Sequence, residues 1–237
     1  MNAELKKLID NAKRVVFLGG AGVSTESGIP DFRSETGIYA AQNRYGAPPE
    51  VLLSHDFFWK HTEKFYKYYR ECLIFPTAKP NAAHHALAEL ERQGKLSAVV
   101  TQNIDGLHQA AGSKKVLELH GSIHRNYCTR CNKFYPLETV MNAKGVPKCS
   151  CGGIIKPDVV LYGEGLDSAT LSEAINQIRR ADLLIIGGTS LVVHPAAGLM
   201  DFFGGENLVI INLTPTARDV YATLCIRDRV GEVLKLD

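Results

Sequence analysis

The chain has 237 residues, a net charge of +2, 45% hydrophobic and 22% charged residues, which describes a soluble globular protein with ample length for a sizeable core. So mild a charge, with no clustered basic stripe, does not announce a nucleic-acid surface, and the apolar runs fall well short of a membrane span. The opening residues Met1 to Lys7 lack the apolar centre of a signal peptide, so a cytoplasmic protein is expected. Leu5, Leu8, Ile9 and Ala12 instead follow helical spacing.

The run Val15-Val16-Phe17-Leu18 reads as a buried parallel strand and leads into Gly19-Gly20-Ala21-Gly22, a turn where backbone must approach something closely. Bare N–H groups there, backed by a following helix, would suit a pyrophosphate. Thr25 stands where a dehydrogenase fingerprint has its third glycine, and Ile38 to Arg44 holds no acid for a ribose, so hydride transfer loses ground. Gly28-Ile29-Pro30-Asp31-Phe32-Arg33 then breaks the helix and sets an acid, an aromatic and a guanidinium beyond the turn.

Residues 34–80 contain no strand-like run; their aromatic residues, Phe57, Phe58, Phe65, Tyr66, Tyr68 and Tyr69, predict one or two helices forming a small module. A helix from Asn81 to Gln93 precedes the strand Ala98 to Thr101, whose carboxyl end carries Gln102-Asn103-Ile104-Asp105. Val116 to Leu119 ends in His120-Gly121, Val159 to Tyr162 in Gly163-Glu164-Gly165, Leu183 to Ile186 in Gly187-Gly188-Thr189-Ser190, and Leu208 to Ile211 in Asn212. In an open α/β sheet ligands sit beyond the carboxyl ends of the strands, so these ends should converge on one crevice. Helical crossovers are expected over Ser168 to Ala181 and from His194-Pro195, with the proline in the first helical turn.

Cys128-x₂-Cys131 and Cys149-x-Cys151 lie 17 residues apart, close to a zinc-ribbon pattern. Four thiolates make a closed structural zinc site, with redox chemistry or one replaced ligand as alternatives, since the second pair is one residue short. Arg125, Arg130, Lys133 and Lys144 are too sparse for a nucleic-acid face. Cys72 is expected to pack in the helical module; for Cys225 packing and a position near the adenine stand level.

Taken together, Gly20-Ala-Gly-Val-Ser24, Gly28 to Arg33, Thr101-Gln-Asn-Ile-Asp105, His120-Gly121, the cysteine pairs, Tyr162-Gly-Glu164, Gly188-Thr-Ser-Leu191 and Ile211-Asn212 resemble the sirtuins over nearly the whole chain. The compact bacterial members are the most similar. The resemblance implies an NAD-dependent protein-lysine deacetylase passing the acetyl group of acetyl-lysine to ADP-ribose with release of nicotinamide. It also implies a Rossmann-like doubly wound α/β domain formed by 1–33, 81–122 and 159–237. A small domain would combine a helical module and cofactor loop, 34–80, with a zinc ribbon, 123–158.

By the same resemblance His120 is the general base, and Asn103 and Asp105 orient ribose and water. Gly20, Ala21, Gly22, Thr25 and Ser190 contact the phosphates, Phe32, Ile104 and Asp105 form the nicotinamide slot, Arg33 closes over the pyrophosphate, and Asp31, Gly188 and Thr189 also bind the cofactor. Gln102, Asn212 and Ile226 belong to the ribose and adenosine ends. Phe32, His120, Val160 and Tyr162 would line an acyl-lysine tunnel. The peptide would add as a strand between Gly163-Glu164-Gly165 and Leu191-Val192-Val193. The implied partners are NAD and acetyl-lysine proteins or peptides, with no membrane. Relatives that remove succinyl or malonyl groups carry a tyrosine followed three residues later by arginine. Here Tyr66 is followed by Tyr69, and arginine comes only at Arg70, which favours acetyl or other uncharged acyl groups. A protein ADP-ribosyltransferase or a non-catalytic NAD or ADP-ribose sensor would use the same crevice.

Overall fold

The computed structural model describes residues 1–31 and 42–236. Phe32 and Arg33, and most of the 34–45 loop, lie outside the described residues.

A six-stranded parallel sheet runs β3-β2-β1-β7-β8-β9, with β1 Val15–Gly19, β2 Leu96–Thr101, β3 Val116–Glu118, β7 Leu183–Gly187, β8 Asn207–Ile211 and β9 Leu224–Ile226. The order reverses between β1 and β7, which is the doubly wound arrangement. The alternation of a strand explains how one apolar run serves both faces. Val15 and Phe17 point into a core with Leu5, Ile9, Leu87 and Val233. Val16 and Leu18 point into a second core with Ile178, Leu199 and Ile210. Helices α1 (Ala3–Asn11), α6 (Ala82–Arg92) and α10 (Val230–Leu234) cover the first face; α9 (Ser168–Arg179) and a 3-10 helix, Ala196–Phe202, cover the other.

Among its described residues the helical module has four short helices where one or two were expected: α2 Gln42–Tyr45, α3 Pro49–Leu52, α4 His55–Lys60 and α5 Thr62–Cys72. Phe65, Tyr66, Tyr68 and Tyr69, spaced along one side of α5, are fully buried with Phe58. They share a core with Ile123, Cys128 and Ile155 of the three-stranded antiparallel sheet β5-β4-β6, and with Leu137 of the helix Leu137–Asn142. In that sheet β4 is Gly121–Cys128, β5 Phe134–Tyr135 and β6 Ile155–Val159.

Three further expectations change, and one of the two alternatives for Cys225 falls. No parallel strand runs from Val159 to Tyr162: Val159 ends β6 antiparallel to Gly121, and Tyr162 forms only an isolated bridge to Ser54. An apolar run of this length fits either sheet, and pairing with β4 decides it. No α-helix follows the glycine turn; two 3-10 turns, Ala21–Val23 and Thr25–Ser27, end at Gly28 in the left-handed region. Pro195 precedes its helix, after a cis bond from His194, instead of sitting inside the first turn. Cys225 is exposed on the edge strand β9, where packing would have buried it.

Candidate active site

The strand ends of β1, β2 and β7 open into one cavity of about 650 Å³ that reaches across to Leu53 and Cys72 of the helical module. Its floor depends on two backbones in contact. A Cβ on Gly22 would stand 2.7 Å from Gly188 Cα, and Gly188 itself has φ of +61°. The Gly20 and Gly22 N–H groups donate to Gly187 O and Gly188 O at 3.1 and 2.8 Å. The expected bare N–H groups are therefore spent at both glycines, whose role is close approach of β1 and β7. The Ala21 N–H, opening the turn, has no acceptor among the described residues.

Of the residues expected around the dinucleotide, Ala21, Gly22, Thr25, Asp31, Gln102, Asn103, Ile104, Asp105, His120, Gly188, Thr189, Ser190 and Asn212 line this cavity. Gly20 lies behind it, its Cβ direction filled by Thr189, and Ile226 is turned to the core on β9, with its carbonyl accepting from Asn212 N–H. Of the peptide-side residues, Val160, Tyr162, Gly163, Glu164 and Val193 line it; Gly165 and Val192 are exposed outside its wall.

A chain of hydrogen bonds fixes the polar groups. Ser24, 1% exposed, donates from Oγ to Asp105 Oδ2 at 2.7 Å and accepts from Asn103 Nδ2 at 3.0 Å. Asp105 Oδ1 accepts the Leu107 N–H at 2.9 Å. Gln102 Nε2 donates to Thr189 Oγ1 at 3.1 Å, joining the ends of β2 and β7. His120 Nδ1 donates to the Gln102 carbonyl at 3.0 Å, so the lone pair belongs to Nε2. Burial, partly opposed by that hydrogen bond, holds the His120 pKa below the ordinary imidazole value. A neutral imidazole at the head of a cavity is equipped to take a proton.

Several wall residues escaped the sequence reading. Ser24 is the hub of the polar chain, and its place within the glycine motif was the available signal. Cys72, Leu73 and Phe75, at the end of α5 and just after it, line the cavity with Leu53, so Cys72 faces more than the module's own packing. No local pattern marked them. The Tyr66 hydroxyl donates to Ile155 O, and Arg70 donates to Val140 O at 2.8 Å and Gly145 O at 2.6 Å. Both groups tie α5 to backbone between Val140 and Ile155.

Away from the cavity, the Sγ atoms of Cys128, Cys131, Cys149 and Cys151 all lie within 4.8 Å of one another. Cys128–Cys151, Cys131–Cys149 and Cys131–Cys151 separations are 3.4, 3.6 and 3.5 Å. A disulfide needs about 2.05 Å. A tetrahedral zinc with Zn–S of about 2.3 Å requires sulfur pairs somewhat under 4 Å apart, so this donor set fits one structural zinc, closed to water.

Such a fold and site define a nucleotide-binding α/β protein with a four-cysteine cluster fit for one structural zinc. Residues 20–195 match the Sir2 family, and the chain belongs to it. It is 59% identical over 234 residues to the NAD-dependent protein deacetylase of Clostridium acetobutylicum, covering 98% of this chain and 96% of that protein. It is 47% identical over 232 residues to that of Staphylococcus aureus, covering 98% and 95%. A solved Sir2 with p53 peptide and NAD+ superimposes with TM-score 0.86 at 45% identity, covering 99% of this chain and 95% of the other. A Sir2 variant with deacetylated p53 peptide and 3′-O-acetyl ADP-ribose gives 0.90 at 45% identity, covering 98% and 94%.

Proposed function

We propose that the chain is an NAD-dependent protein-lysine deacetylase, transferring the acetyl group of acetyl-lysine to ADP-ribose and releasing nicotinamide. The observation that carries this reading is the His120 tautomer: with Nδ1–H engaged by Gln102 O, its basic Nε2 belongs to the cavity that also holds Asn103 and Asp105. Nearly full-length relatives named for this activity support it.

NAD supplies an anomeric carbon bearing a cationic leaving group, toward which the acetamide oxygen of the substrate is held. An amide oxygen is a weak nucleophile, so positioning in a dry site carries much of the rate. Ile104, Val160 and Leu161 supply apolar wall to the cavity that His120 lines, the surface a dry site needs. His120 Nε2 would take the proton of a ribose hydroxyl, whose oxygen would then bond to the acetyl carbon while the bond from that carbon to the lysine nitrogen breaks and the lysine leaves as the free amine. Asn103 and Asp105, tied through Ser24, orient the ribose and water. Ala21 and Thr25 border the phosphates, while Phe32 and Arg33 are assigned to the cofactor loop by family resemblance.

The division into a sheet domain of 1–33, 81–122 and 159–237 and a small domain of 34–80 and 123–158 belongs to this reading, supported by separate cores in the two parts. Peptide would lie along Gly163 to Gly165 opposite Val192 and Val193. Internal use of Tyr66 and Arg70 supports uncharged acyl groups. No helix among the described residues is long and apolar enough to cross a membrane, and placement in the cytoplasm rests on four thiols arranged for metal.

The test is mass spectrometry of an acetyl-lysine peptide with and without NAD. Loss of acetyl only with NAD, in step with nicotinamide and acetylated ADP-ribose, is expected. Nicotinamide release from a peptide that stays acetylated would replace this reading with ADP-ribosyl transfer, and no change at all with a sensor.

A further inference from the structure

Glu164 sits at the rim of the proposed peptide cleft, yet its carboxylate is turned to other work. Oε2 accepts from Lys156 Nζ at 3.1 Å and from the Leu161 N–H at 3.0 Å, and Oε1 lies 2.9 Å from His55 Nδ1. The partners come from the ribbon strand β6, from the segment leaving it, and from the start of α4. Lys156 is itself held: Nζ is 3.3 Å from Val159 O and 3.5 Å from Pro157 O, and it stands 5.8 Å over the Phe58 ring. The two side chains are only 20% and 21% exposed, so losing either partner strands a partly desolvated charge.

The backbone around Glu164 gives this clamp a purpose. Tyr162 N–H donates to Leu53 O at 3.0 Å and Tyr162 O accepts from His55 N–H at 2.9 Å, which fixes one edge of the segment on the helical module. The next residues, Gly163 and Gly165, flank Glu164; Gly163 has φ of +90°, and neither has a side chain to pack. Glycines lose the most conformational freedom on ordering, so an edge built from them needs an external anchor to be ready for an added strand. Glu164 is the side chain available between them.

We propose that Glu164 is a positioning residue whose carboxylate, held by Lys156 of the ribbon, keeps the Gly163–Gly165 edge in the form that accepts the acyl-lysine peptide. Ribbon integrity is thereby coupled to peptide affinity, because Ile155, beside Lys156, pairs in register with the zinc ligand Cys128. The inference rests on the deacetylase reading, but its test does not require turnover.

Anisotropy of a labelled acetyl-lysine peptide measures Kd in wild type, Lys156→Met, Lys156→Arg, Glu164→Gln and the Lys156→Met/Glu164→Gln double variant, with ADP-ribose binding, zinc content and melting temperature alongside. Lys156→Met and Glu164→Gln are each expected to weaken peptide binding about tenfold, equivalent to about 1.4 kcal/mol, with ADP-ribose affinity and zinc retained. The double variant should be no weaker than the worse single variant, because both remove one contact, and Lys156→Arg should bind as wild type. Unchanged peptide Kd in Lys156→Met, multiplying effects in the double variant, or joint loss of ADP-ribose binding and zinc would overturn the proposal. Wild type that binds peptide without deacetylating it would overturn the deacetylase reading alone; wild type that binds no peptide would overturn both.

Discussion

His120 Nδ1 lies 3.0 Å from the Gln102 carbonyl oxygen, and this one contact fixes which imidazole nitrogen can act as base. A carbonyl only accepts, so the proton is on Nδ1 and the lone pair on Nε2. His120→Ala should leave NAD binding within a few-fold while deacetylation falls by about 10²-fold or more. Because burial lowers the His120 pKa, the free base persists to lower pH; the acid limb of kcat/KM should have its midpoint below about 6.5. A limb assigned to His120 that lies above that value would remove it as the neutral base.

The buried pair His84 and His108 predicts acid sensitivity of the fold. Their ring centroids are 4.7 Å apart, and His84 Nδ1 accepts from the Asn81 N–H, leaving Nε2 and both His108 nitrogens without hydrogen-bond partners among the described residues. Desolvation depresses their pKa values to about 4 and about 3. The unfolded chain then binds more protons than the folded one below about 6.5, so stability is full above that pH and falls progressively down to about 3. By pH 5 each histidine should cost on the order of 2 kcal/mol. Urea titrations of wild type and His108→Phe at pH 7 and pH 5 check this; a variant with the same pH dependence as wild type would refute it.

Removing zinc should unfold the ribbon and leave the large sheet intact. With Cys149→Ser or a strong chelator, metal analysis should fall below one zinc per chain, and hydrogen exchange should rise across β4 to β6 while β1 and β7 stay protected. Uniform deprotection would show a single cooperative unit instead.

Gly22→Ala would drive a methyl to 2.7 Å from the Gly188 backbone, which cannot swing aside as a side chain can. A loss of about 1–3 kcal/mol and weaker ADP-ribose binding are expected. Calorimetry of the variant reads both, and wild-type values would disprove the close-approach role.

Tyr66 and Arg70 are committed to Ile155 O, Val140 O and Gly145 O, so an acyl carboxylate would lack their help. Turnover of succinyl-lysine peptide should have a kcat/KM at least about tenfold below that of the acetyl peptide, a loss the absent charged hydrogen bonds can supply. Equal values would show another cation in the tunnel.

What the sequence by itself determined is what depends on near neighbours along the chain. The unbroken apolar run from Val15 to Leu18 requires a strand covered on both faces, the glycines after it require a tight backbone approach, and the cysteine spacing already resembles a ribbon. The Sir2-type motifs, read together, pointed to the family before any contact was visible. Tertiary structure decided what depends on residues brought together from afar. An apolar run at Val159 to Tyr162 carries no record of which sheet it joins, and β4 takes its first residue. The glycine N–H groups turned out to be occupied because β7 lies beside them, and Ser24 became a hub only when Asp105 and Asn103 closed on it. The Glu164 carboxylate meets Lys156 eight residues away and His55 more than a hundred away, and only the docking of β6 and α4 against the 161–165 segment makes that junction. Such contacts arise from packing and electrostatics across the domain junction, for which a linear pattern has no signal.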